Sequence, residues 1–140
     1  MRTMHVTGAC LCGAIRIEAE IEPDKVALCH CADCQVLSGS AFRGAVGALR
    51  RTIKVSGEPR VYLKTAESGT RRAQAFCGEC GTALWADDEE GRAPYVSLRL
   101  GFLDQRARLA PQAQIWRRSA LPWTDRIGSI PSLPKGFPGV

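Results

Sequence analysis

No stretch of this 140-residue chain is apolar for long enough to cross a bilayer, which takes about 20 consecutive apolar residues in a helix. There is no low-complexity tract and no internal repeat at solenoid spacing, which sets aside disordered linkers and repeat arrays. Met1-Arg2-Thr3-Met4-His5-Val6 lacks the apolar core of a secretory signal, so a cytoplasmic location with no membrane partner is the expectation. A basic block or lysine-rich tail is also missing. The formal net charge of +5 is spread along the chain, much of it in Arg50-Arg51, Arg71-Arg72 and Arg117-Arg118. Such a field favours anionic partners, although solubility is the simpler account of it. The basic residues are not interleaved with aromatics along one strand, as a stacking platform for bases requires, and nucleic acid is not an expected partner. Length and a hydrophobic fraction of 45% predict one domain over residues 1–140 with a modest core.

Helix is scarce in the pattern, and what is there reads as mainly β. Ala14-Ile15-Arg16-Ile17-Glu18-Ala19 alternates apolar and polar as a half-buried strand does. Further strands are predicted over Lys25–Cys29, Ala41–Ala48, Thr52–Val55, Arg60–Lys64, Arg72–Phe76, Thr82–Ala86 and Tyr95–Leu100. Turn residues separate them at Glu22-Pro23-Asp24, Ser56-Gly57-Glu58-Pro59 and Glu89-Glu90-Gly91-Arg92. Strands this short and this closely spaced predict a sandwich or several small curled antiparallel sheets. One short helix is expected over Ala32–Leu37, stopped at Ser38-Gly39, and a second turn over Asp104–Arg108. The tail 122–140 contains Pro131, Pro134 and Pro138 and reads as an irregular strap.

Seven cysteines fall into three tight groups, and none stands alone. In a reducing compartment paired cysteines more often bind metal or do redox work than form disulfides, and an odd count leaves a pure disulfide framework one thiol over. Cys77-Gly78-Glu79-Cys80-Gly81 is a knuckle that presents two sulfurs to one ion. Cys10 and Cys12 offer a second pair if they lie in a strand, where residues two apart share a face. Joining Cys10, Cys12, Cys77 and Cys80 at one zinc would staple the N-terminal strand to a late hairpin, a large gain for a small β domain. Cys29, Cys31 and Cys34 then form a separate three-thiolate group, which in zinc chemistry leaves one position open. His30 lies between two same-facing cysteines and so points away from them in an extended segment. Two other readings of the triple stay open: a further purely structural site, or a metal-free redox centre in which one thiolate attacks and another resolves.

Three motifs in order carry a family resemblance: Gly8-Ala9-Cys10-Leu11-Cys12-Gly13-Ala14-Ile15-Arg16, then Cys29-His30-Cys31-Ala32-Asp33-Cys34 with Ser38-Gly39-Ser40-Ala41-Phe42, then Phe76-Cys77-Gly78-Glu79-Cys80-Gly81-Thr82-Ala83-Leu84. From Gly8 to about Trp123 the chain resembles a compact member of the glutathione-dependent formaldehyde-activating enzymes. The resemblance implies a fold of the Mss4-like group and two zinc ions, a structural one on Cys10, Cys12, Cys77 and Cys80 and a catalytic one on Cys29, Cys31 and Cys34. It implies a carbon–sulfur lyase or synthase reaction, the joining of formaldehyde and glutathione into S-(hydroxymethyl)glutathione. Relatives often carry a His-Ile-aromatic element where this chain reads Gln114-Ile115-Trp116.

A small thiol of the glutathione type bears carboxylates, for which Arg43, Lys64, Arg71 and Arg72 are cationic candidates by type. Phe42, Trp85, Trp116 and Trp123 are candidates for pocket walls or for core. Asp33, Ser38 and Ser40 lie near the triple and could relay protons or merely shape turns. The competing functions are a thiol redox enzyme of the sulfoxide-reductase type and a non-enzymatic zinc module that binds protein or nucleic acid.

Overall fold

The computed structural model describes residues 2–139; Met1 and Val140, the two ends of the expected domain and tail, lie outside the described residues. Nine strands run β1 Met4–Ala9, β2 Arg16–Cys29, β3 Arg43–Leu49, β4 Lys54–Ser56, β5 Arg60–Thr65, β6 Arg71–Phe76, β7 Ala83–Asp88, β8 Tyr95–Arg99 and β9 Ala113–Ile115. A single α-helix, α1 Ala32–Ser38, follows β2, and short 3-10 turns complete the secondary structure. The mainly β class with little helix is therefore what the chain adopts.

The strands join into one hydrogen-bonded sheet in the order β1-β2-β3-β8-β7-β6-β5, with β4 and β9 added along β2. The long β2 makes this possible. Its first half pairs with β1 and β4, and its second half with β3 and β9. All pairings are antiparallel except β2 with β9, which is parallel. The turn expected at Glu22-Pro23-Asp24 is instead strand. Pro23 lacks the N–H a ladder needs, and the β2–β3 register shifts between Ile21 and Val26 to pass over it. Glu22 is buried there and is held by Tyr95 and Lys25.

Alternation sets the two faces of the sheet. Val6, Ile17, Ala19, Ile21, Val46, Ala48, Val96 and Leu98 are buried in one core with Leu84, Leu103 and Leu109. Full burial of each large aliphatic side chain contributes about 1.5–3 kcal/mol. The opposite face is polar. Register places Cys29 beside Arg43, Ala45 beside Arg99, Ser97 beside Ala86, Ala86 beside Gln74 and Arg72 beside Lys64. Cys29, Arg43, Arg99, Gln74, Arg72 and Lys64 thus share one face, and α1 is tied across it by the Asp33–Lys64 ion pair at 3.0 Å.

The tail carries a 3-10 run over Pro122–Ser129 and is exposed along most of its length. Among the described residues no helix is long and apolar enough to cross a membrane.

Candidate metal centre and active site

All seven cysteines are free thiols. The structure gathers them into two groups, Cys10 with Cys12, Cys77 and Cys80, and Cys29 with Cys31 and Cys34. Within each group the sulfurs lie within 4.8 Å of one another.

The four-cysteine group is built by two matching turns. Cys10–Gly13 links β1 to β2 and Cys77–Gly81 links β6 to β7. In the first, the Cys10 N–H donates to Ile15 O and the Gly13 N–H to Cys10 O, both at 2.9 Å. In the second, the Cys77 N–H donates to Thr82 O and the Gly81 N–H to Cys77 O, at 2.9 and 2.8 Å. Gly13 and Gly81 close them at φ of 81° and 80°, a left-handed backbone that glycine adopts without steric cost. Cys10 and Cys12 therefore meet through a turn. The strand geometry expected for them does not occur, because the β1 ladder ends at Ala9.

Backbone N–H groups of Ile15 and Glu79 point at the Cys10 and Cys77 sulfurs, at 3.2 and 3.4 Å. The Thr82 hydroxyl and N–H, with the Cys12 N–H, bring the Cys80 thiol down to about 5. A tetrahedral zinc with Zn–S bonds of about 2.3 Å sets its sulfurs about 3.8 Å apart. Cys10 and Cys12 are 3.6 Å apart and Cys12 and Cys77 3.7 Å, so the donor set fits such an ion in both type and spacing.

The three-cysteine group comes from one junction between strand and helix. Cys29 ends β2, Cys31 is the N-cap of α1, and Cys34 lies in its first turn. The Cys34 N–H donates to Cys31 Sγ at 3.3 Å, which is how a cysteine serves as a cap. The helix stops at Gly39 in the left-handed region, at φ 64°. The three thiols differ in surroundings. Burial pushes Cys29 up to about 12 against the N–H of Cys31. Burial also raises Cys34, but the Arg43 charge and hydrogen bonds with Cys31 and Cys29 outweigh it and hold this thiol below its ordinary value. Arg43 Nη2 donates to Cys34 Sγ at 3.5 Å.

A cavity of about 400 Å³ opens beside this group, lined by Cys31, Asp33, Lys64, Arg72, Trp116 and Ser119 among others. Trp116 stands at φ 57°, which is rare for a bulky residue, and Arg118 stacks over its ring at 5.0 Å. Gln35 Nε2 donates to His30 O and to Ser119 O, tying α1 to the loop that carries Trp116.

Residues 5–119 match the family of glutathione-dependent formaldehyde-activating enzymes. The chain belongs to that family. A protein of Schizosaccharomyces pombe described as an uncharacterized lyase is 34% identical over 88 residues, which cover 63% of this chain and 61% of that one. The match thus spans under two thirds of that relative's length. A crystal structure of a Rhodobacter sphaeroides protein superposes with a TM-score of 0.59 over 77% of this chain and 98% of the other, at 20% identity, a likeness of fold.

For this formaldehyde-activating-family protein, the sequence-predicted candidates sort clearly. Arg43, Lys64 and Arg72 are on the side of the three cysteines, whereas Arg71 projects from the other face and pairs with Glu89. Ser38 and Ser40 bond to Gln35 O and shape the helix end, while Asp33 reaches the cavity. Trp85 packs on the core, and Trp123 is half-exposed away from the cysteines' cavity. Phe42 stacks on His30, with ring centroids 5.3 Å apart. His30 is buried and stands outside the three-sulfur group; its Nε2 donates to Gln114 Oε1 at 2.8 Å. Gln114 thus supports His30 from β9.

Sequence reasoning missed Arg99. It is buried, its side chain bonds among the described residues only to the neutral groups Gln74 Oε1 and Ser97 Oγ, and it is brought down to about 10 by burial and by Arg43. The signal was present in the alternation Tyr95-Val96-Ser97-Leu98-Arg99, which assigns Arg99 to the polar face.

Proposed function

We propose that this protein makes and breaks carbon–sulfur bonds in adducts of a thiol and an aldehyde, as a zinc-dependent lyase or synthase of the S-(hydroxymethyl)glutathione type. The observation that carries the reading is the separation of Cys29, Cys31 and Cys34 from the other four cysteines and their place beside a cavity. Family membership and the lyase description of the yeast relative support it. In this reading Cys10, Cys12, Cys77 and Cys80 hold a structural zinc, and Cys29, Cys31 and Cys34 hold a second. When bound at the triple, zinc would supply an open coordination position that makes a substrate thiol available as thiolate at neutral pH.

The chain's own groups supply the rest. Arg43 donates to Cys34 and spreads the negative charge collected there. Trp116 and Ser119 line one side of the cavity. In the synthetic direction the thiol loses its S–H proton, the sulfur bonds to the aldehyde carbon, and the carbonyl oxygen takes the electron pair of its π bond and the proton the thiol gave up. Asp33, whose Oδ2 is paired with Lys64, is the carboxylate placed beside Cys31 to pass that proton. The step gains and loses no electrons and needs no redox partner.

The test is metal analysis of freshly purified, reduced protein, with thiols counted before and after chelation and adduct formation from glutathione and formaldehyde followed by NMR. Two zinc ions per chain, one of them removed easily, with turnover lost together with the labile ion, is the expected result. One tightly held zinc beside three reactive thiols, with no adduct formed, would replace this reading with thiol redox chemistry.

A further inference from the structure

The polar face of the sheet holds more positive charge than its own carboxylates account for. Arg43 and Arg99 are each more than nine-tenths buried, and neither pairs with a carboxylate among the described residues. Arg43 Nε has no hydrogen-bond partner at all among them. Arg72 is half-buried on the same face and lines the cavity. Its register partner Asp88 is turned elsewhere, to Arg50 and to the N–H groups of Arg92 and Ala93. The carboxylates on the cavity wall are already engaged, Asp33 by Lys64 and Glu67 by Arg118.

Removing a guanidinium from water without a counter-charge is costly, and folds keep such groups where something charged arrives to meet them. On the proposed function, three thiolates around a dication carry one net negative charge, and Arg43 donates to one of the three sulfurs. Arg99 and Arg72 are then the surplus: Arg72 is on the cavity wall, and Arg99 donates to Gln74, two residues from Arg72 on the same face of β6. Because Asp33 and Glu67 stand on the same wall, a singly charged group is accepted there more readily than a doubly charged phosphate.

We propose that Arg72, backed by the buried charge of Arg99, is the specificity-determining residue of this cavity and binds a carboxylate carried by the thiol substrate. A guanidinium suits this task because its planar fork can take both carboxylate oxygens. Thiols without an acid group are then poor ligands, whatever their reactivity.

The test uses a probe that cannot react. S-methylglutathione and its diethyl ester, titrated calorimetrically into the full-length protein, differ in carboxylates and share a blocked sulfur. The wild type binds the acid about ten- to a hundredfold more tightly than the ester, the range expected for hydrogen bonds to a charged group. Arg72→Gln removes the preference and leaves zinc content unchanged, and Arg72→Lys restores part of it. Arg99→Gln weakens the preference and Arg99→Lys returns it. Equal affinity of the wild type for acid and ester, a preference that survives Arg72→Gln, or tighter binding of inorganic phosphate than of the acid would each overturn the proposal. Since no turnover is read, an absence of lyase activity leaves this result standing on its own.

Discussion

Cys10, Cys12, Cys77 and Cys80 are delivered by two turns far apart in sequence, each closed by a left-handed glycine and each aiming backbone N–H groups at sulfur. Cys29, Cys31 and Cys34 come from one short segment, with a cavity beside Cys31 and Arg43 against Cys34. The first arrangement brings β1–β2 and β6–β7 together, on opposite sides of β3, β8 in the sheet order, so an ion held by it would also be a long-range tether. The second tethers nothing that β2 and α1 do not already hold. The two groups of the same residue type thus differ in what each sulfur is attached to through the chain.

The widest gap between the two groups is expected on removal of one sulfur from each. Binding of a structural zinc contributes about 10–16 kcal/mol to small metal-dependent folds, as much as or more than the whole stability of an ordinary domain. Cys77→Ser should therefore unfold the protein or leave it insoluble, read by circular dichroism and soluble yield. Cys31→Ser should keep a cooperative unfolding transition, lose one zinc and lose turnover. Two variants equally folded and equally active would erase the distinction.

The grouping of the sulfurs into four and three was legible in spacing, because Cys-x-x-Cys-Gly and the Cys29–Cys34 run are local patterns. Strands β3 to β8 were legible for the same reason, each carrying its own alternation or turn signals. What escaped were features fixed by tertiary pairing. All three residues of β9 are exposed, so nothing in their pattern marks a strand; β2 alone makes them one. Pro23 reads as a turn, and only pairing with β3 on either side of it, at Ile21 and at Val26, carries the strand past it. Arg99 went unnoticed because its burial follows only from the register, which sets it beside Ala45 on the face that carries Cys29 and Arg43.

A smaller effect sharpens the contrast from the side of the triple. His30 sits between Cys29 and Cys31 and is anchored by Gln114 on β9. Its Nδ1 is already buried without a partner among the described residues, so Nε2 carries the ring's only hydrogen bond. Gln114→Ala leaves that donor unsatisfied, at a cost of about 1–3 kcal/mol. In a chain of this size each kcal/mol lowers Tm by about 2–4 °C. Gln114→Glu keeps the acceptor and should lose less. The four-cysteine site, remote from β9, should hold its zinc in both variants, as metal analysis would show. Loss of that zinc in Gln114→Ala would mean that the two groups are coupled through the sheet.

The smallest stability change is expected at Trp116, where the effect on function should be disproportionate. A non-glycine residue in the left-handed region costs about 1–2 kcal/mol. Trp116→Gly removes that cost and also removes the stacking of Arg118, an exposed cation–π contact of about 0.5–1 kcal/mol. The two nearly cancel, so Tm should stay within a few degrees of wild type. The wall of the cavity beside Cys31 is lost all the same, and the substrate KM should rise while zinc content holds. If Trp116→Gly instead lowers Tm sharply and leaves KM alone, Trp116 is a packing residue, and the cavity beside the three cysteines is closed by something other than its ring.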